Sequence, residues 1–297
     1  MKNQKQALAF GAATVMLWST VATAFKLSLG ELSPLQLMLV ACATSVLVLA
    51  CILTLQRRWQ AVIALSPRQY LISVLMGLLN PVLYYLVLFE AFDRLPAQEA
   101  QPLNYTWALT LTYLSVPLLG QKLSRSDLLA GLVCYSGVVV IATRGDLLGL
   151  EFSDSIGVGM ALASTVIWAM YWIINTRDTR DPLAGLFLNF LFGLPLILLL
   201  CLATAGLPKD IGTGVLAAVY IGVFEMGIAF VLWSRAMRLA ENTSQVSNLI
   251  FISPFLSLVF IHFILGETIR PSTYIGLVLI IIGLWWQQHA QFRFYRR

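Results

Sequence analysis

Apolar residues run through this chain in long unbroken stretches, near 7–26, 34–55, 69–91, 98–119, 126–143, 156–174, 183–203, 212–236, 243–265 and 271–290. Each is close to the roughly 20 residues with which a helix crosses a hydrocarbon core of about 30 Å. Strands of a membrane barrel would show segments of about ten residues alternating apolar and polar positions, and these runs do not alternate. The pattern predicts an all-α integral membrane protein of ten transmembrane helices. Its connections are short, and only the loop near 144–155 has any length.

The pattern also recurs. Leu88-Phe89-Glu90-Ala91-Phe92-Asp93-Arg94 leads through an apolar run to Gly120-Gln121, and Leu232-Trp233-Ser234-Arg235-Ala236-Met237-Arg238 leads through another to Gly266-Glu267. Trp18, beside Ser19 in the first run, returns as Trp168 in the sixth. Two five-helix repeats follow, 1–148 and 149–297. A five-helix unit that starts on one side of the membrane ends on the other, so its second copy is inverted. Inverted hydrophobic halves are the sequence mark of transporter folds, in which each half can adopt the other's shape and open the protein to either side in turn.

Composition agrees: 59% of the 297 residues are hydrophobic and 11% charged, too little polar surface to coat a water-soluble globule. With the N-terminus in the cytoplasm, Lys2, Lys5, Arg57, Arg58, Arg68, Lys122, Arg125, Arg177, Arg180, Arg235, Arg238, Arg293, Arg296 and Arg297 fall inside; Lys26, Arg94, Arg144, Lys209 and Arg270 fall outside. That bias places both termini on the cytoplasmic side and supports an even number of spans. Anionic lipid accounts for the net charge of +5, and no nucleic acid is required. The first run lacks a small-residue cleavage site and takes part in the repeat, which reads as a retained helix. Cys42, Cys51, Cys134 and Cys201 all sit in apolar spans without metal-type spacing, so neither a disulfide framework, a metal nor a cofactor is expected.

Aligning Ala91 with Ala236 pairs Gly77 with Gly222 and Asn80 with Glu225, two polar residues at matched mid-span positions. Pro81, Pro195 and Pro254 each remove a donor from the carbonyl four residues back, which makes the third and ninth spans candidate cavity walls. A carboxylate in hydrocarbon costs several kcal/mol. Glu225 is therefore a candidate proton carrier or an acceptor for a positively charged substrate group, against the plainer reading of a hydrogen-bonded structural acid. Trp18, Trp107 and Trp168 lie too deep for an interfacial belt, and Tyr84, Tyr85, Tyr105 and Tyr171 accompany them; each either lines a cavity or packs between helices. Trp285 and Trp286 read as interfacial anchors. Asn104 is expected to face a cavity, His262 to be solvated near a span end, and Glu90 and Arg235 to snorkel to opposite interfaces.

No catalytic residues are expected. An intramembrane enzyme built on Glu225 and His262 is disfavoured, because two histidines supply no His-Glu-x-x-His helix and neither a Gly-x-Ser-x-Gly elbow nor a phosphate-cradling loop occurs. A passive channel differs from a carrier in lacking saturable counterflow.

Trp18-Ser19, Trp168, Gly227-Ile228-Ala229-Phe230-Val231-Leu232-Trp233 and the run from Pro254 to Gly266-Glu267 resemble the drug/metabolite transporter superfamily, specifically its two-repeat EamA-type members. Leu103-Asn104-Tyr105-Thr106-Trp107 with Gly120-Gln121-Lys122 is similar to a segment of the bacterial aromatic amino acid exporters within it, although Ala108 stands where they have proline. The resemblance implies a bacterial inner-membrane exporter of aromatic or hydrophobic amino acids, or of related small metabolites; drugs and nucleoside-like solutes are the alternative. It maps Asn104, Tyr105, Trp107, Trp18 and Trp168 onto a substrate cavity. With Asn80, Tyr84, Tyr171 and Glu225 these form the expected binding set, and protons are a candidate coupling ion.

Overall fold

The computed structural model describes residues 2–120, 124–149, 152–175, 177–241, 245–246 and 249–295, with side chains as far as Gln287. Gln121, Lys122, Arg296 and Arg297, used in the repeat and charge patterns, lie outside the described residues. Those residues are helical throughout their long elements and contain no strand.

Seven helical stretches are long and apolar enough to cross a bilayer: Gln4–Leu29, Pro34–Leu55, Pro67–Arg94, Arg125–Ala142, Ser155–Asn175, Pro182–Thr204 and Thr213–Leu239. Shorter apolar helices cover Leu249–Leu265 and Pro271–Gln287. The run expected as one helix over 98–119 is instead two, Ala97–Tyr105 and Trp107–Leu119. Pro102 supplies no backbone N–H, and the Thr106 hydroxyl donates back to the Leu103 carbonyl at 2.8 Å, the kind of side-chain competition that bends a helix. Pro254, expected inside a helix, stands at the second residue of Ser253–Leu265 behind a 3-10 turn over Leu249–Ile252. A missing N–H there leaves no intrahelical acceptor stranded.

The chain forms two compact units, residues 1–89 with 179–265 and residues 90–178 with 266–297. Each draws on sequence from both sides of residue 148.

In the first unit, α1 (Gln4–Leu29) packs on α12 (Ala229–Leu239) and α13 (Ser253–Leu265), while α2 (Pro34–Leu55) packs on α10 (Pro182–Thr204). Ala7, Ala236, Ala240 and Val246 form a small-residue cluster that brings α1 and α12 close together. Ser33 and Gln36 close α2 with reciprocal cap bonds, and Asp181 caps α10 while pairing with Arg58. The short α3 (Gln60–Ile63) connects α2 to α4 (Pro67–Gly77), and α11 (Thr213–Tyr220) precedes α12. Leu47 is 71% exposed and Phe263 78%, apolar faces suited to lipid.

The second unit holds the end of α5 (Tyr84–Arg94), α6 (Ala97–Tyr105), α7 (Trp107–Leu119), α8 (Arg125–Ala142), α9 (Ser155–Asn175) and α14 (Pro271–Tyr295). Its tightest crossing joins α8 to α14. A Cβ on Gly137 would lie 2.4 Å from the Gly276 carbonyl oxygen, and one on Gly276 would lie 2.6 Å from the Gly137 oxygen. At one end of this unit, Glu99 is 1% exposed and accepts from Arg144 Nε at 3.0 Å, Arg270 Nη1 at 3.3 Å and Ser153 Oγ at 2.5 Å. Glu267 accepts the Ala97 and Gln98 amides at the start of α6, where a carboxylate complements the helix dipole.

Candidate functional site

In the first unit, two helices lose their regular turn at matched places. Between α4 and α5 the chain breaks over Leu78–Leu83, with Asn80 at φ −144 and ψ 111. An extended conformation is what the ring of the following Pro81 imposes on the residue before it. Between α11 and α12 the turn widens to π spacing over Ile221–Ile228, and Glu225 lies inside it. The helices that resume, α5 and α12, are both 11 residues long and begin at Tyr84 and Ala229.

Each break docks through a glycine on a neighbouring helix. A Cβ on Gly77 would fall 2.4 Å from the Asn189 carbonyl oxygen of α10, and one on Gly222 would fall 2.4 Å from the Ala41 carbonyl oxygen of α2. Any side chain at either position would force the backbones apart. Ser45, one turn after Ala41, donates its hydroxyl to the Met226 carbonyl at 2.9 Å, so α2 satisfies a backbone group that the widened turn exposes.

The Glu225 carboxyl sits beside the Tyr85 hydroxyl, which reaches Oε1 at 3.5 Å, a long hydrogen bond. Oε2 is buried with no hydrogen-bond partner among the described residues. Tyr85 is fully buried and its ring is fixed against Tyr84 (centroids 4.9 Å apart) and Phe89 (5.3 Å). Trp18, half-buried on α1, lies 5.4 Å from the ring of Trp233 and 6.4 Å from that of Phe230. Asn80 is completely buried, and among the described residues neither its amide nitrogen nor its amide oxygen has a partner. The Glu225 carboxyl beside the Tyr85 and Tyr84 rings suits a small solute with a polar head and an apolar body.

The remaining expected residues belong to the second unit. Asn104, expected to face a cavity, donates through Nδ2 to Ser164 Oγ at 3.0 Å, an interhelical bond between α6 and α9. Thr110 of α7 and Thr165 of α9 share a hydrogen bond at 2.9 Å. Trp168 stacks on Tyr171 at 5.5 Å and meets Trp172 edge-on at 5.9 Å. Tyr105 ends α6, and Trp107 opens α7 immediately past the break at Thr106.

Glu90 and Arg235, expected to snorkel, have local partners: Glu90 comes within 3.9 Å of Arg94, and the Arg235 guanidinium lies 5.3 Å from the Phe10 ring centroid. Among the described residues, Asn189, Thr23 and Ser257 also carry buried polar atoms without a partner, and none of the three was singled out in the sequence. Asn189 had a readable signal, being an amide within an otherwise apolar span.

A family model, the EamA-like transporter family, matches residues 5–143 and again residues 155–286. An uncharacterized transporter of Clostridium kluyveri is 29% identical over 174 residues, covering 56% of this chain and 55% of that protein. The aromatic amino acid exporter YddG of Ancylobacter novellus is 28% identical over 189 residues, covering 59% of this chain and 61% of that protein. The chain thus spans a little over half the length of these two relatives. An uncharacterized transporter of Archaeoglobus fulgidus is 25% identical over 284 residues, covering 92% and 94%. One crystal structure, 24% identical with a TM-score of 0.67, covers 98% of this chain and 99% of its own and shares the fold. With both halves matched, the chain belongs to the EamA-like transporter family of the drug/metabolite transporter superfamily.

Proposed function

We propose that this protein is a secondary transporter that exports amino acids, aromatic or hydrophobic ones, or related small metabolites. It works by alternating access between two inverted five-helix halves, 1–148 and 149–297. Ten spans would set it in the inner membrane with both termini in the cytoplasm. Support for the halves comes from the double family match and from the matched breaks, each docked through a glycine. Support for the solute class comes from the resemblance to an aromatic amino acid exporter and from the rings around Trp18, Tyr84 and Tyr85.

The observation that carries the reading is Glu225: a carboxylate inside a membrane helix, one oxygen near Tyr85 and the other buried and unpartnered. A group left in that state costs several kcal/mol unless the working protein supplies a partner. In this proposal the partner is a substrate ammonium or a counter-transported proton. Trp18 and Tyr84 take the substrate's apolar body and Asn80 its polar end. Asn104, Tyr105, Trp107, Trp168 and Tyr171 of the second unit are assigned binding roles by the same chemistry.

The test is counterflow in proteoliposomes with a labelled amino acid panel at two pH values. Saturable exchange of aromatic or branched amino acids is expected. Exchange confined to nucleosides or to lipophilic drugs contradicts the solute assignment, flux without saturation points to a channel, and recovery of chemically altered solute points to an enzyme.

A further inference from the structure

The two breaks differ in how their polar groups are served. At the Glu225 break, α2 provides Ser45, whose hydroxyl meets the Met226 carbonyl at 2.9 Å. At the Asn80 break, Asn189 of α10 occupies the place that Ala41 holds on α2, because each offers its carbonyl to the docking glycine. One turn on, where α2 has Ser45, α10 has Gly193, whose Cβ position lies nearest Pro81 (Cγ at 3.0 Å) and the Gly77 carbonyl (3.3 Å). This crossing has no hydroxyl donor there, and it carries two amides. Gly77 and Pro81 bracket Asn80 in the chain, and they pack on Asn189 and Gly193, so Asn80 lies at the level of that turn of α10.

Among the described residues, Asn80 is 0% exposed with Nδ2 and Oδ1 both unpartnered, and Asn189 is 1% exposed with Oδ1 unpartnered. Buried amides are normally satisfied by protein or water, and leaving three atoms unpaired in one crossing is costly. The free positions comprise one donor group and two acceptors, all uncharged. An α-amino acid head has the complement, an ammonium with three donors beside a carboxylate that accepts.

We propose that Asn80 and Asn189 form a subsite for the zwitterionic head of an α-amino acid, with the Asn80 amide nitrogen donating to the carboxylate and the two amide oxygens accepting from the ammonium. The proposal rests on the transport reading above and deepens it. Asn189 becomes a binding residue, and Glu225 is left to the proton. The present conformation holds the subsite closed, and it opens when the helices around the Asn80 break move.

The experiment compares L-phenylalanine with phenethylamine, which lacks the carboxylate, and 3-phenylpropionate, which lacks the ammonium, in counterflow by the wild type, Asn189→Leu, Asn80→Leu and Asn80→Asp. Thermal unfolding in detergent accompanies each variant. Both Leu variants replace amides that carry unpaired buried atoms by apolar groups of similar shape, so their stability is expected to hold or rise, while phenylalanine counterflow falls at least roughly tenfold, the weight of a hydrogen bond to a charged group. Asn80→Asp removes the donor to the carboxylate and adds a charge that repels it, so preference shifts toward phenethylamine, a gain that does not depend on folding yield. Unchanged phenylalanine counterflow and unchanged discrimination in all three variants overturn the subsite, and mean that the amides hold a buried water. A wild type that moves none of the three compounds overturns the transport reading together with the subsite.

Discussion

At the residue scale, the buried polar groups carry the predictions. Glu225→Gln keeps the shape and the approach to Tyr85 but cannot exchange a proton, so transport should lose its dependence on pH while still occurring; an unchanged profile at normal rate removes Glu225 from the mechanism. Ser45→Ala strands the Met226 carbonyl in a buried helix crossing and should cost about 1–2 kcal/mol, read as a lowered melting temperature in detergent. Glu99→Ala leaves the Arg144 and Arg270 guanidiniums without their shared carboxylate. Because both arginine side chains are 40% exposed, the expected loss is about 2 kcal/mol, below that for a fully buried pair. Glu225 stood out in the sequence because a lone carboxylate in an apolar run has only a few physical explanations. Glu99 did not, since its partners arrive from 45 and 171 residues away and no local spacing announces them.

At the element scale, unbroken apolar runs located the helices well, and the breaks in them less well. The expected span over 98–119 joined a polar stretch, with Gln98, Glu99, Gln101 and Asn104 in α6, to the apolar α7; the break between them depends on Pro102 and on the hydroxyl of Thr106 finding Leu103. Pro81 was legible as a helix breaker, and the structure sets Asn80 in the extended conformation its ring requires. Pro254 read the same way in sequence but begins a helix, a difference made by the 3-10 turn before it. Glycines fix how closely the elements approach. Gly137→Leu would drive a side chain into the Gly276 carbonyl, where neither backbone can yield cheaply, and should cost about 1–3 kcal/mol or more in a melting experiment. Gly159, whose Cβ position meets nothing, is the matched control and should tolerate leucine with little change.

At the scale of the whole molecule, the repeat was read from motifs that lie in order along the chain, and the EamA-like family model matches residues 5–143 and 155–286. The grouping into compact units was not, since residues 1–89 associate with 179–265 and so join the start of one half to the middle of the other. Matched breaks at Asn80 and Glu225 are what two exchanging halves require: equivalent weak points, each held by a close glycine contact. The central claim is that these breaks are exposed to opposite sides of the membrane in turn. It is tested most directly by single cysteines at positions 80 and 225, with Cys42, Cys51, Cys134 and Cys201 replaced by alanine, and a membrane-impermeant thiol reagent added from one side at a time. Labelling of each site from both sides of the membrane is the predicted result. Labelling of either site from one side only would contradict the account.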